Sequence, residues 1–254
     1  MSARPAAVPT ITPPAPAALV PVPTPDTRTV YPEDDGRPMS ENTKQFRWIV
    51  TIEGGIDALF RNDPNVFVAG DLLWYPVEGH TEVCTAPDAL VVFGRPKGDR
   101  SSYLQWVEGG IPPQVVFEVL SPGNTAAEMI RKFRFYEDYR VEEYYVYDPD
   151  RGALSGWQRD GARLVEIAPI QGWVSPRLRV RFELQGAELA LFRPDGERFA
   201  SYVEIVAQRE QERQRAEQER QRAEQERQRA EQAERRAERL AARLRTMGVD
   251  PDRE

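Results

Sequence analysis

Two acidic residues occupy positions where a carboxylate is costly. Asp88 opens the apolar run Pro87-Asp88-Ala89-Leu90-Val91-Val92-Phe93, and Glu118 interrupts Val115-Val116-Phe117-Glu118-Val119-Leu120. Continuous apolar runs of this length read as central strands covered on both faces. A carboxylate placed there stays ionised only if a cation, a metal or several hydrogen bonds replace its water. Two such acids on separate strands, with a lysine on the following helix, form a minimal set for metal-assisted phosphodiester hydrolysis. Asp71, in Gly70-Asp71-Leu72-Leu73-Trp74, is a third acid beside apolar residues. Structural roles compete with the chemical one at each position: a strand-start acid after proline for Asp88, and the partner of a buried arginine for Glu118.

Lys132 stands out by its type. The chain has 34 basic residues, and only Lys44, Lys97 and Lys132 are lysine. Arg131 and Arg134 flank Lys132, so a lysine between them marks a need for a compact ammonium rather than for charge alone. At about 100° per residue the position lies roughly a quarter turn from the apolar stripe of its helix. Helical side chains lean toward the N-terminus, which brings this one back toward the strand that carries Glu118. An ordinary snorkelling lysine is the competing reading.

The elements that position these residues follow from periodicity. Residues 41–62 read as a helix, with Phe46, Ile49, Val50, Ile56, Leu59 and Phe60 at helical spacing and Ser40 as N-cap. Gly54-Gly55 marks either close packing or a break. Strands are expected at 66–75, 88–93 and 114–121. Ser121-Pro122-Gly123-Asn124 ends the third strand and leads into a helix over about 124–140, whose apolar stripe is Ala126, Met129, Ile130, Phe133 and Tyr136. Glu143-Tyr144-Tyr145-Val146-Tyr147 is a fourth strand, Leu154 to Ile167 a hairpin around Asp160-Gly161, and short strands near 178–192 close the domain.

At this point the sequence resembles a known family. The segments Ala86-Pro87-Asp88-Ala89-Leu90-Val91-Val92-Phe93 and Val116-Phe117-Glu118-Val119-Leu120-Ser121-Pro122 are similar to the Uma-type family of restriction-endonuclease-like proteins. So are Lys132 ahead of Tyr136 and Glu142-Glu143-Tyr144-Tyr145-Val146-Tyr147-Asp148-Pro149. That family belongs to the PD-(D/E)XK nuclease superfamily, and the resemblance covers roughly residues 40–170. It implies an α/β (α+β) fold with a restriction-endonuclease-like αβββαβ core and a mixed sheet. It also implies magnesium held by Asp88 and Glu118, with Asp71 as an assisting acid and manganese as a substitute ion. The nucleic-acid partner implied is DNA. One departure stands out: Leu120 occupies the place, two residues after Glu118, where the superfamily has its lysine. Lys132 is the replacement the family pattern suggests.

Composition bounds the remainder. Residues 1–29 are crowded with proline and are expected to be an extended, disordered tail. The nuclease-like domain is assigned to 30–202, a charged heptad helix to 203–247, and a disordered end to 248–254. A single cysteine, Cys84, excludes an internal disulfide, and a single histidine, His80, gives no support to a zinc cluster or a serine–histidine triad. No apolar run approaches a membrane span, and the absence of secretory signals favours the cytoplasm. The formal net charge of −7 speaks against a broad basic surface, but not against acids that bind a divalent cation.

In the heptad helix Ala216, Ala223, Ala230 and Ala237 give one small apolar residue per repeat, with Leu240, Leu244 and Met247 near the end. A weak coiled coil that supports homo-oligomers and a solvated single helix both fit this pattern. Two functions from different classes follow for the chain: a metal-dependent endonuclease, or a catalytically silent nuclease-like domain that serves as a scaffold through its charged helix.

Overall fold

The computed structural model describes residues 30–34, 36, 40, 42–186 and 188–247; the tails expected at 1–29 and 248–254 lie outside the described residues. The chain divides after Phe199 into two compact units. In the first, helix α1 spans Thr43–Leu59 and is capped by Asn42, whose side chain accepts from the N–H groups of Lys44 and Gln45. Asn42, not Ser40, is therefore the N-cap. Both types suit the position, but Asn42 directly precedes the first helical residue. Gly54-Gly55 does not break the helix. A Cβ at Gly55 would run into the ring of Phe199, so the glycine permits close packing.

The expected strand at 66–75 is two pieces, β1 (Val66–Ala69) and β2 (Trp74–Tyr75). Between them Gly70 lies against the backbone of Asp88, and Asp71 takes a left-handed φ of 49°, which turns the chain out of the sheet. The elements that follow are β3 (Ala89–Phe93), β4 (Tyr103–Leu104), β5 (Val115–Val119), α2 (Ala126–Asp138) and β6 (Glu143–Asp148). The hairpin is β7 (Ala153–Asp160) and β8 (Arg163–Glu166), then come β9 (Arg181–Gln185) and β10 (Glu188–Phe192). The hairpin register pairs Asp160 with Arg163, so its two-residue loop is Gly161-Ala162, one residue later than the expected turn, with Gly161 at φ 57°.

Six strands form the main sheet in the order β1-β3-β5-β6-β7-β8. All pairs are antiparallel except β5 with β6, which are parallel and joined through α2. The sheet is therefore mixed, and α1, β1, β3, β5, α2 and β6 supply the αβββαβ order; the short parallel β2–β4 pair is an addition to it. Alternation sorts the side chains onto two faces. Ala89, Val91, Val115, Phe117 and Val119 pack with Ile49, Ile52 and Ile56 of α1 and with Phe182, Leu189 and Leu191 of the β9–β10 hairpin. Leu90, Val92 and Val116 pack with Tyr136 of α2 and with Trp74 and Tyr103 of the β2–β4 pair. Every residue of β5 is buried, Glu118 included.

The second unit holds α3 (Tyr202–Thr246), 45 residues long. Its start is a capping box: the Glu204 carboxylate accepts from the Ser201 N–H at 2.7 Å, and the Ser201 hydroxyl accepts from the Glu204 N–H at 3.4 Å. Ion pairs one turn apart, such as Glu224–Arg227 at 3.0 Å, line its surface. No helix of the described residues is long and apolar enough to cross a membrane.

Candidate active site

Register and face bring the two strand acids together. β3 pairs with β5 so that Ala89 faces Phe117, and one step further along the same register Asp88 faces Glu118. Both then project on the face covered by α2, the face of Leu90, Val92 and Val116. The ladder stops here, and side chains take over its unpaired backbone groups: Asp88 Oδ2 accepts from the Val119 N–H at 2.6 Å, and Gln45 of α1 donates from Nε2 to the Val119 carbonyl at 2.8 Å.

Helix α2 supplies the rest. Thr125 caps it, accepting from the Glu128 N–H at 3.2 Å, and the loop before it is tied by Asn124 Oδ1, which accepts from the Ser121 N–H at 2.8 Å. Nearly two turns into α2, Lys132 donates from Nζ to Glu118 Oε2 at 2.7 Å and to the Ala86 carbonyl at 3.3 Å. A turn later the Tyr136 hydroxyl donates to Glu118 Oε1 at 2.5 Å. Lys132 thus reaches Glu118 from the neighbouring helix. Leu120, where the superfamily lysine would stand, donates its own N–H to the Tyr147 carbonyl and serves the sheet.

A cleft of about 820 Å³ opens at this point. Asp71, Asp88 and Lys132 line it, together with Gln45, Cys84 and Arg131. Glu118, only 3% exposed, meets the cleft through Lys132. Asp71 sits in the bend after β1 rather than on a strand, and its N–H donates to the Pro87 carbonyl at 3.1 Å. His80 is paired with Glu82 in an exposed loop at 2.9 Å.

The electrostatics are those of a site with surplus negative charge. Burial, and then the charge of Glu118 opposite, hold the Asp88 carboxyl well above the usual carboxylate range, against the pull of Lys132 and the Val119 N–H. Burial works against the Lys132 ammonium, but the charges of Glu118 and Asp88 outweigh it and leave its pKa above the ordinary lysine value. The Tyr136 phenol is pushed well up by burial and by Glu118, so it stays protonated and is the donor to that carboxylate. Among the described residues the buried Tyr144 hydroxyl has no hydrogen-bond partner, and burial and the charges of Glu118 and Asp88 hold it protonated too.

Among the described residues no three His, Cys, Asp or Glu side chains stand close enough together to hold a metal ion by themselves. The donor set is nevertheless suited to magnesium, which keeps several waters and is commonly bound through one or two carboxylates. A cation at Asp88 would also offset the burial and the Glu118 charge that raise its pKa.

Tyr136, Gln45 and Tyr144 were not legible as site residues: a tyrosine on an apolar helix stripe or in a buried strand has the pattern of core, and a lone glutamine on a helix has that of surface. Two other buried charged groups leave no mark in the sequence pattern: Arg95 with Arg100 on Glu108, and Glu143 with Ser175, Tyr145 and Arg177. Neither of these two charged groups lines the cleft.

With this geometry in place, comparison with known proteins assigns the family. The model of the Uma2 family, described as "Putative restriction endonuclease", matches residues 23–191, and the chain belongs to that family. No curated protein matches it. Among solved structures, it is similar to the crystal structure of "a putative nuclease belonging to DUF820" from Anabaena variabilis. The two share 14% sequence identity and a TM-score of 0.42, over 58% of this chain and 82% of the other.

Proposed function

We propose that this chain is a metal-dependent endonuclease that hydrolyses phosphodiester bonds in DNA, with magnesium as its ion and manganese as a substitute. The observation that carries the reading is the convergence of Asp88, Glu118 and Lys132 on one sheet face beside a cleft, in a chain of the Uma2 family. Asp88 and Glu118 would hold the ion, and Asp71 stands in the cleft wall as the assisting acid. When bound, the ion supplies Lewis-acid activation of water at neutral pH and neutralises charge at the scissile phosphate.

The protein's own groups do the rest. Glu118 fixes the Lys132 ammonium, and the neighbouring acids keep that lysine protonated. A protonated lysine is a donor, not a base. Its task is to hold the attacking water in place and to stabilise the negative charge that builds on the phosphoryl oxygens. The bond formed joins the water oxygen to phosphorus, and the bond broken releases a sugar hydroxyl. Because Lys132 makes its contact from α2, Leu120 is no obstacle to this chemistry, which favours the enzyme over the silent scaffold. The reading puts the protein in the cytoplasm. Helix α3 is read as a spacer or self-association device outside the chemistry.

The test is cleavage of plasmid DNA with magnesium or manganese. Activity is expected to vanish with chelator and with Glu118→Ala, and to fall by about 100-fold or more in Lys132→Met, as for loss of a transition-state donor. Glu118→Ala protein that cuts as fast as wild type rejects the assignment.

A further inference from the structure

Glu118 is held by two side chains from one helix. Lys132 and Tyr136 stand four residues apart on α2 and so share a face, and each engages a different carboxylate oxygen, Oε2 for the ammonium and Oε1 for the phenol. The proposed reaction accounts for Lys132 but not for the hydroxyl of Tyr136. Packing does not account for it either. The ring is fully buried, parallel to Trp74 with centroids 6.4 Å apart, and 4.9 Å from the ring of Tyr144. Phenylalanine would fill the same space. The only hydrogen bond that the Tyr136 hydroxyl donates among the described residues is to Glu118.

A carboxylate turns easily about its last bond, whose torsional wells are broad. One donor leaves it free to present either oxygen, whereas two donors on different oxygens fix its plane. The geometry points to Tyr136 as a positioning residue of the site: by engaging Oε1 it orients Glu118 so that Oε2, the oxygen beside Lys132, is the one available to a divalent cation. This rests on the reading of Asp88 and Glu118 as ligands. It makes Tyr136 an outer partner of a ligating carboxylate, a class of residue whose loss weakens metal binding without removing a ligand.

The experiment is a double-mutant cycle on Mn2+ affinity, read by electron paramagnetic resonance on the full-length protein. Tyr136→Phe is expected to weaken Mn2+ binding by about 10- to 100-fold, with the cation-free protein unfolding cooperatively as wild type does. In a Glu118→Gln background the same substitution is expected to change Mn2+ affinity by less than about 2-fold, because the carboxylate it orients has gone. Equal losses in both backgrounds overturn the inference, since packing alone would then explain the effect. Tyr136→Phe that binds Mn2+ as wild type does, while Glu118→Gln does not, overturns the inference and leaves the nuclease reading intact. Glu118→Gln that binds as wild type does removes the ligand reading and this inference with it. If Tyr136→Phe fails to fold, 13Cζ-labelled tyrosine in the intact protein decides: the Tyr136 resonance shifts on magnesium saturation if the phenol is coupled to the ion's site, and an unmoved resonance overturns the proposal.

Discussion

Asp88 and Glu118 face each other across β3 and β5, and like charges directly opposite in a sheet destabilise it. Lys132 offsets part of that cost, yet burial, and then the Glu118 charge, still hold the Asp88 pKa up. Asp88→Asn keeps an acceptor for the Val119 N–H and removes the repulsion. It is therefore expected to stabilise the cation-free protein by about 0.5–1 kcal/mol in urea unfolding while abolishing cleavage. A variant that is both less stable and inactive would mean that Asp88 serves the fold. Much at this scale was legible in the sequence. The positions of Asp88 and Glu118 were marked by the apolar runs around them, and Lys132 by the rarity of lysine. Tyr136 was illegible because nothing in a stripe of apolar residues separates a tyrosine that fills space from one that aims its hydroxyl. Asp71 was placed beside the site, but its left-handed backbone leaves no mark in an apolar pattern.

Helices and strands were legible where a single period ran unbroken. The central strands β3 and β5, α2 and the β7–β8 hairpin lie within two residues or so of their expected places. Two glycine-containing steps show where periodicity alone does not decide. Gly54-Gly55 left close packing and a break open; α1 runs through the pair, because Gly55 makes room for Phe199. Gly70-Asp71 resembled strand, but it is the turn that carries Asp71 into the cleft wall. Gly55→Ala is accordingly expected to cost about 1–3 kcal/mol, the range for overpacking, whereas Gly54→Ala, with open space around it, is expected to be neutral or stabilising. Equal effects at the two positions in thermal unfolding would remove the packing explanation. Glu143, at the start of β6, accepts from the Tyr145 and Ser175 hydroxyls and the Arg177 N–H, yet burial raises its pKa. The folded state thus binds this proton more tightly than the unfolded chain, so the contribution of Glu143 to stability falls as pH rises from the ordinary glutamate range through the raised folded value. Glu143→Gln is expected to flatten that part of the stability–pH curve, measured by urea unfolding across a pH series; an unchanged slope would assign it to other groups.

For the whole molecule, the family assignment and the order of core elements agree, and α3 stands as a unit of its own. Its side chains are almost all exposed, and its alanine seam offers little area to bury. Removing residues from Gln208 onward is therefore expected to leave the unfolding midpoint of the remaining chain unchanged, and to reduce subunit number in sedimentation if the heptads self-associate. Unfolding of the truncated protein would contradict the spacer reading, and an unchanged subunit number would contradict the coiled coil. The sequence could not choose between these, since one alanine per heptad suits both a weak seam and a solvated helix. Whether Asp88 and Glu118 form a divalent-cation site is decided by crystals grown with manganese and an anomalous difference map. A single strong peak is expected about 2.1 Å from an oxygen of each of the two carboxylates. A map with no peak there, at manganese concentrations that support DNA cleavage, would contradict that site.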